Sequence, residues 1–143
     1  MEIHEAAIEG VATRDLPFEK ALIMPLGDIH SGPPECDINR LRRHVDWAME
    51  RGAYFLGLGD YVDFMSPSNR LRYRQSALYD SSQRELDNRA DEIVDGLLTI
   101  LRPTRGRWLG LLEGHHFFQY GAGDTSDQRL ARALDAPFLG NCA

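Results

Sequence analysis

The chain has 143 residues, 22 acidic against 16 basic side chains, a formal net charge of −6 and 43% apolar content. Such a length allows one domain with a real core, and the acidic balance argues against a generic nucleic-acid coat, leaving any grip on phosphates to bound cations or a local basic patch. No apolar run approaches the roughly 20 residues of a spanning helix, and the N-terminus lacks the basic-then-apolar order of a signal peptide, so a cytoplasmic location with no membrane contact is the default expectation.

In chain order, residues 1–20 are weakly determined, with Ile3 to Val11 readable as an extra edge strand or a flexible arm. Ala21 to Leu26 is a short continuous apolar run, the pattern of a strand buried on both faces; Pro25 makes it an edge or bulged strand. From Asp37 to Arg51, Ile38, Leu41, Val45, Ala48 and Met49 fall on one helical face, with Asp37 placed to cap the start and Gly52 to end it. Tyr54 to Leu58 is a second strand-like run. Residues 64–82 read as an insertion loop, followed by a helix whose apolar stripe (Leu86, Ala90, Ile93, Val94, Leu97, Leu98, Leu101) stops at Pro103. Trp108 to Leu112 is a third strand. Thr125-Ser126-Asp127-Gln128 is a capping box opening a helix on Leu130, Ala131 and Leu134, and Pro137-Phe138-Leu139 starts a further short run. This alternation predicts an α/β fold, with a mainly parallel sheet and right-handed crossover helices.

Cys36 and Cys142 are far apart and outside any CxxC pattern, so both read as free thiols. His4 and His44 stand in no polar cluster that follows an apolar strand-like run and read as solvated. Five arginines between Asn69 and Arg89 (Arg70, Arg72, Arg74, Arg84, Arg89) outnumber Asp80, Glu85 and Asp87, a modest basic patch that reads as a solvated face.

Three polar clusters directly follow the three apolar runs: Gly27-Asp28-Ile29-His30, Gly59-Asp60-Tyr61-Val62-Asp63 and Gly114-His115-His116. In a parallel sheet the carboxyl ends of the strands line one edge, where open α/β folds place ligands. Asp28 and His30 are two apart and can face one ion, while Asp60, from the next strand, can bridge two. A pair of divalent ions clamps a phosphate and activates water, so no Ser or Cys nucleophile is needed. His116 then reads as the acid that protonates the leaving oxygen, and Asp63 as the carboxylate that orients its ring. Each cluster alone is ordinary loop chemistry; their conjunction after buried strands, in this order, carries the reading.

The chain resembles the calcineurin-like metallophosphoesterase superfamily, whose pattern runs D-x-H, G-D-x-x-D, G-N-H-[DE], then a lone His and G-H-x-H. Gly27 to Gly32 and Leu58 to Asp63 carry the match; Ser66 to Arg70 and Thr125 to Gln128 are also similar to phage and prophage members. The resemblance implies Asp28, His30 and Asp60 as metal ligands, His116 and Asp63 as the catalytic pair, and two divalent ions, Mn2+ first, with Fe, Zn, Ni or Mg as alternatives. It implies a phosphodiester or phosphomonoester substrate, extending to DNA or nucleotides. His115 stands where the family has asparagine, which makes it a candidate ligand of the second metal; Phe117 stands where an acid is usual. The later histidines of the pattern do not occur. The expectation is therefore a single incomplete domain over residues 1–143, the first half of an α/β/β/α sandwich, with an apolar sheet face that a second chain or a homo-oligomer would cover and with turnover requiring a second half. The alternative is a noncatalytic remnant or assembly subunit with at most weak metal binding.

Overall fold

The computed structural model describes residues 3–5, 12–16, 20–66, 69–70 and 78–141. Strands β3 (Ile23–Leu26), β4 (Tyr54–Gly57), β5 (Trp108–Leu112) and β6 (Phe138–Gly140) form a four-stranded sheet in the order β3-β4-β5-β6, every neighbouring pair parallel. The α/β class and the parallel sheet expected from the alternating pattern are what the chain forms, and Pro25 does lie on an edge strand. Near the N-terminus β1 (Ile3–Glu5) and β2 (Ala12–Arg14) pair antiparallel in a separate two-stranded sheet, so this segment extends no edge of the main sheet.

Helix α1 (Ile38–Glu50) starts where Asp37 accepts the Arg40 amide at 2.9 Å and buries Leu41, Val45 and Ala48 on one stripe. It ends where the Arg51 amide reaches Ala48 O and Gly52 turns with φ of 69°. Helix α2 (Asp80–Leu101) begins three residues earlier than the apolar stripe suggests, so 80–82 belong to the helix and not to the insertion. The polar Asp80-Ser81-Ser82 first turn carries no apolar period to reveal it, and Asp80 there suits the positive end of the helix. A 3-10 turn over Arg102–Thr104 contains Pro103 and closes α2. Helix α3 (Ser126–Leu134) has the expected reciprocal box: Thr125 Oγ1 accepts the Gln128 amide at 3.2 Å and Gln128 Oε1 accepts the Thr125 amide at 3.0 Å.

Each parallel pair of neighbouring strands needs a crossover connection, and α2 packs against both α1 and α3. Phe55, Trp108 and Leu111 on the helix side are wholly buried against Val94, Leu97, Leu98 and Leu101. Truncating Leu97 to alanine there costs about 2–5 kcal/mol. Trp108 is satisfied inside the core, its Nε1 donating to Thr104 Oγ1 at 2.7 Å. On the strands, Ile23 is 46% exposed and Leu58, just past β4, is 50% exposed, while Leu56, Leu112 and Leu139 are half-buried. Among the described residues no helix is long and apolar enough to cross a membrane. Cys36 is a free thiol; Cys142 lies outside the described residues.

Candidate metal centre

The loops leaving β3 and β4 are laced together beyond the strand ends. The amides of Asp28, His30 and Ser31 donate to the carbonyls of Gly59, Asp60 and Tyr61 at 3.2, 3.0 and 3.0 Å, and the Asp63 amide returns to Ser31 O at 2.8 Å. This lacing holds Asp28, His30 and Asp60 at φ of 50°, 49° and 53°. Left-handed backbone is uncommon for a residue with a Cβ and clusters at functional sites because the surroundings must over-determine it. Among the described residues only Asp135, at the C-cap of α3, shares it outside glycine. Beneath the loops Tyr61 is fully buried and its hydroxyl donates to Leu112 O at 2.9 Å, tying the β4 loop to β5. Gly57 makes room for that ring: a Cβ there would stand 3.0 Å from Tyr61 Cζ and 2.9 Å from Leu111 Cγ. Burial, with Asp127 and Asp60 adding, pushes the Tyr61 hydroxyl well up, so it stays a neutral donor.

The β5 loop crosses directly over Asp60. A Cβ on Gly114 would overlap Asp60 N and Oδ1 and lie 2.8 Å from its Cα, so only glycine permits the approach. Asp60 Oδ1 accepts the amides of both His115 and His116, the latter at 3.1 Å. Three other anchors hold the same loop. Asp127 Oδ2 accepts the Gly114 amide at 3.1 Å. Ser126 Oγ accepts the Phe118 amide at 3.0 Å, and the Ser126 amide donates to Phe118 O at 2.9 Å. Arg70 Nη1 donates to His115 O at 2.7 Å and Phe117 O at 2.8 Å, with its guanidinium 3.8 Å from the Phe117 ring centroid.

The side chains then converge. His116 Nδ1 is 3.1 Å from Asp63 Oδ1, His30 Nδ1 is 3.5 Å from Asp63 Oδ2, and His30 Nε2 is 3.8 Å from Asp28 Oδ1. The two imidazoles meet edge to face at 4.7 Å. Two sets of potential ligand atoms lie within 4.8 Å of one another: Asp28, His30 and Asp60, and His30, Asp63 and His116. Asp28 is the open member, its side chain 89% exposed, against 26% for His116. Two carboxylates with an imidazole suit a divalent ion of hard or borderline character, so the donors fit the metals expected. Because Oδ1 of Asp60 already takes two amides, Oδ2 is the oxygen left for an ion.

Five of the six residues singled out in the sequence thus come together: Asp28, His30, Asp60, Asp63 and His116. The His115 side chain is exposed and enters neither set; it is the backbone N–H of this residue that meets Asp60. Asp63 contacts His116 as an orienting carboxylate would, but its other oxygen also lies 3.5 Å from His30 and Asp63 completes the second donor set. Sequence reasoning missed the supports Tyr61, Arg70, Ser126 and Asp127. The capping box was the available signal for the last two, because it fixes where the α3 N-terminus presents its side chains. Asp127 is 1% exposed, and burial pushes its carboxyl up to about 6; the Gly114 amide and the Ser126 hydroxyl oppose that rise, and the charges of Glu113 and Asp60 add to it.

No protein-family model, curated protein or solved structure matches the chain.

Proposed function

We propose that this domain is a metal-dependent phosphoester hydrolase, with Asp28, His30 and Asp60 holding a divalent ion, Mn2+ first, and Asp60 shared with a second. The observation that carries the reading is the convergence of these three residues, in left-handed backbone, beside an Asp63–His116 pair at 3.1 Å. Bound ions would supply Lewis acidity toward the phosphate and an activated water. The chain's own residues supply the rest. Asp63 accepts from His116 Nδ1, which fixes the ring and leaves Nε2 turned to the substrate as the donor that protonates the departing ester oxygen. In hydrolysis water adds to phosphorus, the P–O bond to the leaving group breaks, and that oxygen takes the proton from His116. Asp60 keeps the His loop in register through its two amide contacts, so ion site and proton donor hold a constant separation.

A second reading, a noncatalytic subunit that retains the fold, draws on the exposed apolar residues Ile23 and Leu58 at the sheet and on the position of His115 outside the donor sets. Metal titration joined to turnover decides between them. The expected result is Mn2+ binding that requires Asp60, with hydrolysis of bis-p-nitrophenyl phosphate or p-nitrophenyl phosphate that falls 10²–10⁴-fold in His116→Gln. Ion binding with no turnover of either ester, on the chain alone or in an assembly that covers the sheet, would favour the subunit. Absence of binding by Mn, Fe, Zn, Ni and Mg would remove the hydrolase reading and likewise favour the subunit.

A further inference from the structure

A groove leaves the metal centre between the edge strand β3 and helix α1, lined on the helix side by Arg40, His44 and Trp47. Its first part, a cavity of about 300 Å3, starts at Asp28 and Ile29 and runs to Arg40 and His44 on α1. Its second part, about 350 Å3, is lined by Met24, His44 and Trp47. His44 lines both, so the two adjoin at that side chain. Arg40, His44, Trp47 and Arg51 follow one another at steps of four, three and four residues, a single exposed stripe about 16 Å long on the helix.

The stripe is not explained by folding. The face of α1 that builds the core is Leu41, Val45 and Ala48, and Trp47, a large apolar side chain, is left 46% exposed. The indole is held in place from one side: the Arg51 guanidinium stacks 4.4 Å from its ring and Nη1 donates to Trp47 O at 3.1 Å. Arg51 also pairs with Glu50 at 3.5 Å, so its charge is spoken for. The Arg40 guanidinium and the His44 ring form no ion pair among the described residues. Asp37, which also lines the groove, is engaged at the helix cap through Oδ1.

A guanidinium with no ion pair among the described residues and an imidazole, next to the proposed phosphoester site and followed by an exposed indole near a thioether, match a polyanion that carries flat rings at intervals. We infer that the β3–α1 groove is a track for a single-stranded nucleic acid, with one phosphodiester at Asp28, His30 and Asp60, the neighbouring phosphate at Arg40 and His44, and an unpaired base on Trp47. Backbone-tracking charge interleaved with aromatic platforms is the general means of sequence-tolerant single-strand binding. A base must be unpaired to lay its face on the Trp47 ring, so a single strand is expected to bind here in preference to duplex. The assignment rests on the phosphoesterase reading for the register of the strand.

Fluorescence gives a direct test, because the chain has two tryptophans and Trp108 is wholly buried. The full chain in EDTA is titrated with a 12-nucleotide oligothymidylate, a 12-base-pair duplex and inorganic phosphate. Saturable quenching by the single strand, weakening with salt, is expected, with little response to the other two. Arg40→Ala and Trp47→Ala should each weaken binding of a labelled oligonucleotide about tenfold, and Trp47→Phe should restore most of the loss. Trp108 emission reports that each variant is folded. Unchanged affinity in folded Arg40→Ala and Trp47→Ala, or equal quenching by duplex or phosphate, overturns the track. Turnover of a small ester without oligonucleotide binding refutes the track alone; binding in EDTA without turnover in Mn2+ leaves the track standing and refutes the hydrolase.

Discussion

Replacing Asp127 with asparagine should make the chain relatively more stable as pH rises, because the parent buries a carboxyl that resists ionisation. Asp127 lies wholly inside the protein at the start of α3, and burial lifts it from 3.8 to about 6. The folded state therefore holds the proton more tightly than the unfolded chain. The stabilisation this gives is complete below the unfolded value and is lost as pH rises through the folded one. With those two values the loss is about 1.5 kcal/mol at pH 5 and about 3 kcal/mol at pH 7. Asparagine has no ionisation to resist. It retains one carbonyl oxygen for the Gly114 amide, and the altered contact with Ser126, worth about 1 kcal/mol, is the same at both pH values and cancels in the difference. Urea unfolding followed by Trp108 fluorescence in EDTA should show the variant gaining about 1.5 kcal/mol on the parent between pH 5 and 7, or close to 1 M in midpoint at a slope near 1.5 kcal/mol/M. Parallel pH dependences would show that Asp127 titrates as an ordinary surface acid. A gain of the opposite sign would mean that the helix N-terminus and the two hydrogen bonds outweigh burial.

Gly114→Ala should cost about 1–3 kcal/mol from overpacking against the Asp60 backbone, and the resulting displacement of the His loop should lower ester turnover about 100-fold while circular dichroism stays unchanged; retained turnover would show that the close approach has no role in the site. Asp60→Asn should lose more bound Mn2+ than Asp28→Asn, since Asp60 is proposed to serve both ions and Asp28 one; equal metal content in both variants and the parent would refute the shared-ligand assignment. His115→Ala should leave metal stoichiometry and affinity unaltered, because only the backbone of this residue reaches Asp60; loss of an ion on titration would place the imidazole in the metal shell. Arg70→Ala frees the carbonyls of His115 and Phe117, so a drop in turnover with unchanged Mn2+ affinity is expected, and no change in either would make Arg70 a surface residue.

What the amino-acid sequence by itself determined is what depends on near neighbours. The apolar runs before Asp28, Asp60 and Gly114 and the 3.6-residue stripe of Leu41, Val45 and Ala48 are local patterns, and the period of such a pattern is the primary signal of strand or helix. Parallel order then places the ends of β3, β4 and β5 on one edge, which made Asp28, His30, Asp60, Asp63 and His116 legible as a group. The tertiary structure decided everything that required two distant segments to touch. The left-handed backbone at Asp28, His30 and Asp60 exists because two loops hydrogen-bond to each other. Whether His115 offers its ring or its amide was settled by Asp60, 55 residues away, whose Oδ1 takes the amide. The capping box places Asp127 in the first turn of α3 but carries no sign of its burial; that environment comes from the Gly114 loop 13 residues earlier. His44 reads as a solvated helix position until β3 is set beside α1, because a groove is a property of two surfaces and no single segment encodes it.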